Sequence, residues 1–232
     1  GPEGGCLEDF GSYFSGRYRT PWGAPFNFDG RGAEPVRRFF LDNAIFWLEE
    51  FHIDALRLDA VSAIYDDSSL PFLEELGAAV KEFGRSRNRL VYTIGETSKN
   101  DPRYVAQREL GGLGLDSQWN FDFHHALHAL LTGERCGYYA DFGKVADLAK
   151  AYNEGYVLTG QFSRYWNRRH GRSAESIPAR RLVVYAQNHD ETGNRPRGER
   201  FGALLSRETQ KLAAAAVILS PYLPLLFMGE EY

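Results

Sequence analysis

Strands that alternate with helices predict an α/β fold built on a parallel sheet. Short β-rich segments recur at 53–61, 90–96, 115–120, 181–187 and 224–228, and helical patterns separate most of them. Polar residues gather where several of these strands end, which is where a (β/α)₈ TIM barrel builds its site. The sequence predicts five strands, whereas a closed barrel has eight, so we expect part of such a barrel. The other possible arrangement of these helix–strand units is a doubly wound sheet.

Composition limits the class of protein. The 232 residues are 43% hydrophobic and 25% charged, which is typical of a globular domain, and the formal net charge of −4 gives no reason to expect a nucleic-acid or membrane partner. No apolar run approaches the roughly 20 residues that cross a bilayer. Cys6 and Cys136 are too few for a disulfide scaffold and have no metal-ligand spacing. We therefore expect a reducing compartment and a cytoplasmic protein.

The first elements can be placed from periodicity. Residues 1–33 are rich in Gly, Pro and aromatic residues and are predicted to form a long structured loop. Apolar residues at three- and four-residue spacing predict a helix over 35–51. In the strand 53–61, the alternation of side chains places Arg57 and Asp59 on one face.

The second helix and strand follow the same logic. Ser68 or Ser69 can cap a helix that runs to Gly84, which we interpret as its stop signal. The strand that comes next ends in a carboxylate, Glu96. A helix and a strand thus repeat the unit before them, as expected for a parallel sheet.

The later elements are less regular. A helical pattern covers 126–131, and the strand 181–187 is the clearest in the chain. The interval between them is too long for one helix, so we expect an inserted excursion around 133–180. A helix over 208–219 precedes the last predicted strand.

Three carboxylates stand where predicted strands end: Asp59, Glu96 and Asp190. The carboxyl ends of parallel strands meet at one mouth, and two carboxylates can divide the work of glycoside hydrolysis. A single such residue more often caps a helix or pairs with an arginine. Three of them, accompanied by Arg57 and His189, favour a catalytic site, in which Arg57 also keeps Asp59 ionised.

A second polar group lies on the helical segment after the third strand. His124 and His128 have the four-residue spacing of paired metal ligands, but no third ligand is apparent and we expect no metal. The sequence Asp122-Phe123-His124-His125 suits hydrogen bonding to a polar ligand better. For His125 and His128, the alternative is that they only pack the helix in place.

Other motifs give weaker indications of function. The segment 164–172 mixes basic and aromatic residues, yet the acidic total argues against nucleic acid, and 111–114 lacks the Lys of a phosphate loop. Sugar faces could stack on Trp22, Trp119 and Tyr232, although core packing is the default for each.

The ends of the chain suggest an excerpt. It starts at Gly1 rather than Met, and an apolar run lies just before Tyr232. A domain rarely stops immediately behind a buried strand. We therefore expect 1–232 to be an incomplete catalytic barrel domain from a longer protein.

Three segments resemble signatures of the α-amylase superfamily of glycoside hydrolases, and longer stretches resemble its malto-oligosyltrehalose trehalohydrolase family. The superfamily matches are 54–61, 94–96 and 187–190. The family matches, which cover nearly the whole chain, are 1–4, 20–23, 27–29, 122–125, 131–134, 137–139, 188–190, 193–195, 198–200 and 227–232. The resemblance implies strands 4 to 8 of the barrel, together with the long loop after strand 3.

The resemblance also implies a retaining mechanism without a cofactor. Asp59 would be the nucleophile, Glu96 the proton donor and Asp190 the stabiliser of the transition state. Arg57 and His189 would hold the sugar at the cleavage subsite. The resemblance further implies that the pocket for the trehalose end is lined by Asp122, His124, His125 and Asn194. The family cuts the α-1,4 bond next to a terminal trehalose, and the carboxyl groups of Asp59 and Glu96 should then lie about 5–5.5 Å apart.

The sequence departs from the family pattern in two substrate-binding segments. Phe121 stands where a second acidic residue is usual, and Glu191 and Thr192 follow Asp190 in place of Gln and an aliphatic residue. These departures bear on substrate preference. The rival functions are an α-glucan branching enzyme, which has the same three carboxylates, and an inactive carbohydrate-binding relative.

Overall fold

The computed structural model describes residues 2–231, with side chains from residue 6 onward. Gly1 and Tyr232, which belong to the first and last family matches, lie outside the described residues, and so does the predicted stacking role of Tyr232. The chain divides into two compact units. The first holds the residues up to 96 and 103–116, and the second holds 97–102 and the residues from 117 onward.

The first unit contains two helices and two parallel strands. Leu58, the last residue of the first strand, pairs with Gly95, the last residue of the second, so the two strands end side by side. Short 3₁₀ helices occupy Pro2–Phe10, Val61–Ala63 and Arg108–Leu110. The main elements are α1 (Ala33–Glu50), β1 (Ala55–Leu58), α2 (Phe72–Ser86) and β2 (Tyr92–Gly95).

The core of the first unit packs the two helices with the aromatic residues of the N-terminal loop. Phe28 stacks on Phe72 with ring centroids 4.1 Å apart, and Leu48 and Val80 are fully buried between the helices. Buried Arg37 is paired with Asp66, and this pair ties α1 to the segment before α2. The predicted loop is therefore ordered by burial of its aromatic residues.

Helix α2 begins and ends differently from the prediction. Neither Ser68 nor Ser69 caps it, because Pro71 precedes its first residue and provides no side-chain cap. Gly84 is not the stop signal, since the helix continues to Ser86. A Cβ at Gly84 would lie 2.7 Å from the Arg89 carbonyl oxygen, so this glycine permits close packing instead.

The second unit holds three parallel strands and a small antiparallel pair. Gln118 pairs with Leu182, and Val183 pairs with Leu223, both in parallel register. Short 3₁₀ helices lie at Gly137–Tyr139 and Ala179–Arg181, and a further one, Pro102–Tyr104, begins in this unit and ends in the first. The elements are β3 (Ser117–Trp119), α3 (Phe121–Thr132), α4 (Val145–Glu154), β4 (Phe162–Ser163), β5 (Arg168–Arg169), β6 (Leu182–Tyr185), α5 (His189–Gly193), α6 (Phe201–Leu204), α7 (Arg207–Ile218) and β7 (Leu223–Leu225).

The predicted excursion is real and partly regular. It contains α4 and the antiparallel pair of β4 and β5. Helices α5 and α6, which directly follow β6, were not predicted because each has five residues or fewer. Parallel strands with helical cover are thus confirmed in each unit. None of the helices between residues 2 and 231 is long and apolar enough to cross a membrane.

Candidate active site

The first unit brings three predicted site residues together where its strands end. Arg57 belongs to β1, Asp59 follows β1 directly, and Glu96 follows β2. Arg57 Nη1 contacts Asp59 Oδ1, and Arg57 Nη2 lies 3.7 Å from Glu96 Oε2. The side chain of Asp59 is 78% exposed and that of Glu96 only 14%. One guanidinium therefore approaches both an open and a sheltered carboxylate.

Glu96 is held by backbone groups as well. The N–H of Ala60 donates to Glu96 Oε2 at 2.6 Å, and the N–H of Val61 donates to the Glu96 carbonyl oxygen at 3.0 Å. The N–H of Glu96 donates to the Leu58 carbonyl oxygen at 2.9 Å. A Cβ on Gly95 would lie 2.9 Å from a methyl group of Leu115. Tight packing and hydrogen bonds thus fix the position of Glu96.

This geometry suits acid–base and nucleophilic catalysis by two carboxylates. An exposed carboxylate such as Asp59 can approach a substrate carbon, and a sheltered one such as Glu96 can exchange a proton with a leaving group. Arg57 offers a positive charge that favours the ionised form of a nucleophile. The separation of about 5–5.5 Å expected for a retaining enzyme stays a prediction.

In the second unit, β6 leads directly into the segment that carries Asp190. The side-chain oxygen of Asn188 accepts from the Glu191 N–H at 2.7 Å and so caps α5. His189 Nε2 lies 3.5 Å from Asp190 Oδ1, and both side chains are about half exposed. The N–H of Asn194 donates to the Asp190 carbonyl oxygen at the end of this helix. The cap therefore sets the direction of the third carboxylate.

Two tryptophans of the predicted site differ in exposure. Trp22, in the first unit, is 78% exposed, which leaves its ring open to a ligand. Trp119, in the second unit, is 5% exposed, and its ring centroid lies 6.1 Å from that of His189. Core packing thus accounts for much of Trp119, and its edge contact supports His189.

Asp122 is enclosed by backbone donors. Its Oδ2 accepts from the N–H groups of Val157 and Leu158 at 2.9 and 2.6 Å, and from Asn100 Nδ2 at 2.8 Å. Burial raises the pKa of Asp122, while the Leu158 N–H and the neighbouring His125 act in the opposite direction. Its carboxylate therefore holds the 157–158 backbone in place, which gives it a structural task whatever it contributes to a pocket.

His124 is likewise fully buried. Its Nδ1–H donates to the Ala186 carbonyl oxygen at 2.8 Å, and its Nε2 accepts from the Tyr139 hydroxyl at 3.1 Å. Burial lowers the pKa of His124 to about 3, so this histidine is neutral at pH 7. A neutral ring with both nitrogens bonded to protein groups aligns α3 with the end of β6.

Two carboxylates that the sequence did not single out complete this cluster. Glu191 is 8% exposed and lies 3.7 Å from His124 Nε2 and 3.6 Å from His125 Nε2. Glu134 is joined to Arg195 by two bonds of 3.0 and 2.8 Å. Burial opposes ionisation of Glu191, whereas its contacts with His125 and Tyr138 act in the opposite direction and lower its pKa. Glu191 was visible only as a departure from the family pattern.

The spacing of His124 and His128 does not make a metal site here. His128 Nε2 is 2.8 Å from Glu134 Oε2, and its ring stacks on that of Tyr139. In the described part of the chain, no group of three His, Cys, Asp or Glu side chains is arranged to hold a metal ion. The pair instead joins α3 to the segment after it.

Comparison with known proteins gives long matches. The chain is 47% identical to the malto-oligosyltrehalose trehalohydrolase of Saccharolobus solfataricus and 46% identical to that of Arthrobacter ramosus, in each case over 100% of this chain and 40% of the relative. A 1,4-alpha-glucan branching enzyme of Mycobacterium sp. strain KMS is 28% identical over 91% of this chain and 27% of that enzyme. No family model matches the chain.

A solved structure agrees with these matches. The crystal structure of a putative alpha amylase from Salmonella typhimurium covers 95% of this chain with a TM-score of 0.85 and 35% identity, and the match spans 38% of that protein. The fold of the chain is thus similar to that of an alpha amylase structure. In sequence, the chain is a relative of the malto-oligosyltrehalose trehalohydrolases, as its motifs predict. It spans about two fifths of their length.

Proposed function

We propose that this chain carries the catalytic carboxylates of a retaining glycosidase that acts on α-linked gluco-oligosaccharides. The observation that carries the proposal is Arg57, whose guanidinium contacts Asp59 and approaches Glu96 beside two adjacent parallel strands. The names of the relatives support a specific bond, the α-1,4 linkage next to the terminal trehalose of maltooligosyl trehalose. Trehalose is then the product released.

Each carboxylate has one role in this reaction. Asp59 attacks the anomeric carbon, forming a glycosyl-enzyme bond as the glycosidic bond breaks, and Glu96 protonates the leaving oxygen. Glu96 then removes a proton from water, which releases the sugar from Asp59. Asp190 stabilises the positive charge of the transition state through sugar hydroxyls. The exposure of Asp59 and the shelter of Glu96 suit this division of roles.

The remaining residues bind the substrate. Arg57 and His189 hold the sugar at the cleavage subsite, and Trp22 offers an exposed face for stacking. Because Asp122 and His124 are buried, they contribute to the trehalose pocket by supporting the residues that form its walls. The other contributors to substrate binding are His125, Asn194 and Trp119.

The correspondence between these strands and those of a complete barrel is part of the same proposal. Strands β1, β2, β3, β6 and β7 correspond to strands 4 to 8 of a (β/α)₈ barrel, and the N-terminal loop follows strand 3. The partner is an α-glucan oligosaccharide, no cofactor takes part, and the protein acts in the cytoplasm.

The test uses the full-length protein that carries this sequence. With maltooligosyl trehalose as substrate, we expect release of trehalose, and NMR of the new reducing end should show the α-anomer first. Glu96→Gln should abolish turnover yet leave substrate binding within about threefold, because it removes a proton without changing shape. Absence of trehalose release by the wild-type protein would overturn the assignment.

The same preparation separates the rival functions. A branching enzyme would raise the branch content of amylose, followed by iodine staining, without releasing free sugar. An inactive carbohydrate-binding relative would bind the oligosaccharide with no turnover in either assay. The 28% identity to a branching enzyme is the observation that makes the first of these worth measuring.

A further inference from the structure

A strained backbone position lies inside the carboxylate site. Among residues 2–231, five non-glycine residues have a positive φ: three asparagines, one histidine and Ala60. Asn and His enter the left-handed region several times more often than other residues do. Ala60, with φ 41° and ψ 47°, has no polar side chain to compensate for the strain. Such an outlier at a site calls for a functional explanation.

The left-handed turn at Ala60 has one clear result. Its φ and ψ set the orientation of the Val61 amide relative to the Ala60 amide, which lies in the preceding peptide plane next to Asp59. The Ala60 N–H donates to Glu96 Oε2 at 2.6 Å, and the Val61 N–H donates to the Glu96 carbonyl oxygen at 3.0 Å. Two consecutive amides therefore bind one residue, at its side chain and at its backbone. A right-handed conformation at Ala60 would rotate the second amide away from the Glu96 carbonyl oxygen.

We propose that Ala60 is a positioning residue for Glu96: the left-handed conformation of Ala60 lets two consecutive amides, its own and that of Val61, reach the Glu96 carboxylate and backbone together. The bond to the carboxylate fixes the side-chain rotamer of Glu96 before the substrate arrives. Arg57, at 3.7 Å from the same oxygen, contributes charge but not a hydrogen bond of normal length. The catalytic consequence rests on the proposed function, whereas the coupling between residues 60 and 96 does not.

The magnitude follows from hydrogen bonds to charged groups. Such a bond contributes an amount that corresponds to about a tenfold to a hundredfold change in rate if it is lost at the transition state. The loss should appear in kcat, because the hydrogen bond positions Glu96 for proton transfer, which is a part of the chemical step and not of substrate binding.

The decisive variants differ in backbone preference and not in size. Asn and Val have similar volumes, but Asn tolerates the left-handed region and a β-branched residue does not. In the full-length protein, Ala60→Val should lower kcat about tenfold or more relative to Ala60→Asn, with KM values within about twofold. Ala60→Gly should keep a kcat closer to that of Ala60→Asn. Equal kcat values for Val and Asn, or a loss confined to KM, would overturn the proposal.

A second measurement needs no substrate. Ala60→Val should lower the melting temperature more than Ala60→Asn does, and this difference should shrink when Glu96→Ala is also present, because the turn is then free to relax. The same difference in both backgrounds would show that residues 60 and 96 are not coupled and would refute the proposal. If the wild-type protein released no trehalose, the proposed function would fail while this measurement still decided the role of Ala60.

Discussion

The carboxylates of the two units are used in opposite ways. In the first unit, Asp59 stands 78% exposed beside Arg57, with which it forms an open ion pair. In the second, Asp122 is buried at 3% exposure and satisfied by three N–H donors. An exposed pair contributes little to stability, whereas a buried carboxylate with complete hydrogen bonding is costly to disturb. Asp59 and Asp122 thus differ in accessibility and not in residue type.

The histidine cluster extends the same contrast. Glu134 pairs with Arg195 and His128. Glu191 lies near both His124 and His125. None of these groups has the exposure of Asp59. The cluster aligns α3 with α5 and so supports Asp190, but it presents no open carboxylate of its own. In the proposed mechanism, the second unit therefore contributes the half-exposed Asp190.

The largest effect is expected at the open carboxylate. Asp59→Asn should reduce turnover of maltooligosyl trehalose by about a thousandfold or more, since an amide is a poor nucleophile. The free energy of unfolding should change by less than about 1 kcal/mol, because the lost ion pair is exposed. Trehalose release and thermal melting measure the two quantities. A large loss of stability with activity retained would reverse the contrast between the units.

Asp122 should show the reverse pattern. Asp122→Ala leaves the Val157 and Leu158 N–H groups without their acceptor, which should lower the free energy of unfolding by about 3 kcal/mol. Asp122→Asn keeps one acceptor oxygen and should recover part of that loss. Denaturant unfolding measures both variants. If Asp122→Ala melted like the wild type but raised KM, direct recognition of the sugar by Asp122 would replace the structural role.

The smallest effect is expected in the pH dependence of stability that arises from Glu134 and its partners Arg195 and His128. Hydrogen bonding to Arg195 and His128 lowers the pKa of Glu134 to about 2, although partial burial opposes this. Because the folded pKa lies below the unfolded value, the stabilisation is complete above about pH 4.5 and is lost as the pH falls toward 2. Glu134→Gln should therefore have a flatter stability profile between pH 4.5 and 2, with Glu49→Gln as a matched surface control. Parallel stability profiles for Glu134→Gln and the wild type would contradict the predicted contribution of ionised Glu134.

The sequence predicted the open site better than the buried one. Arg57 lies on β1 and Asp59 directly follows it, and the two-residue period of a strand was enough to predict that they share one face. The bond from Leu158 to Asp122 spans 36 positions, and that from Arg195 to Glu134 spans 61. Such pairs depend on how helices pack around a core, which periodicity does not encode. Buried Arg37, central to the first unit, escaped attention for the same reason.

The helix boundaries show a related limit. A serine before an apolar run is a reasonable N-cap, but Pro71 precedes α2, and the N–H of Phe72, the first residue of α2, donates to Asp66 Oδ2. Gly84 has the residue type of a stop signal and serves for close packing instead. Local signals thus identified the helix correctly and placed its ends wrongly. The boundaries depend on neighbours that are distant in sequence.

Gly95 has a consequence for efforts to redesign the surroundings of Glu96. A Cβ at this position would lie 2.9 Å from a methyl group of Leu115 and 3.3 Å from one of Val61, so any larger residue requires these side chains to shift. A library that varies Gly95 alone should therefore favour the parent residue. A library that also shortens Leu115 and Val61 should admit larger residues at Gly95.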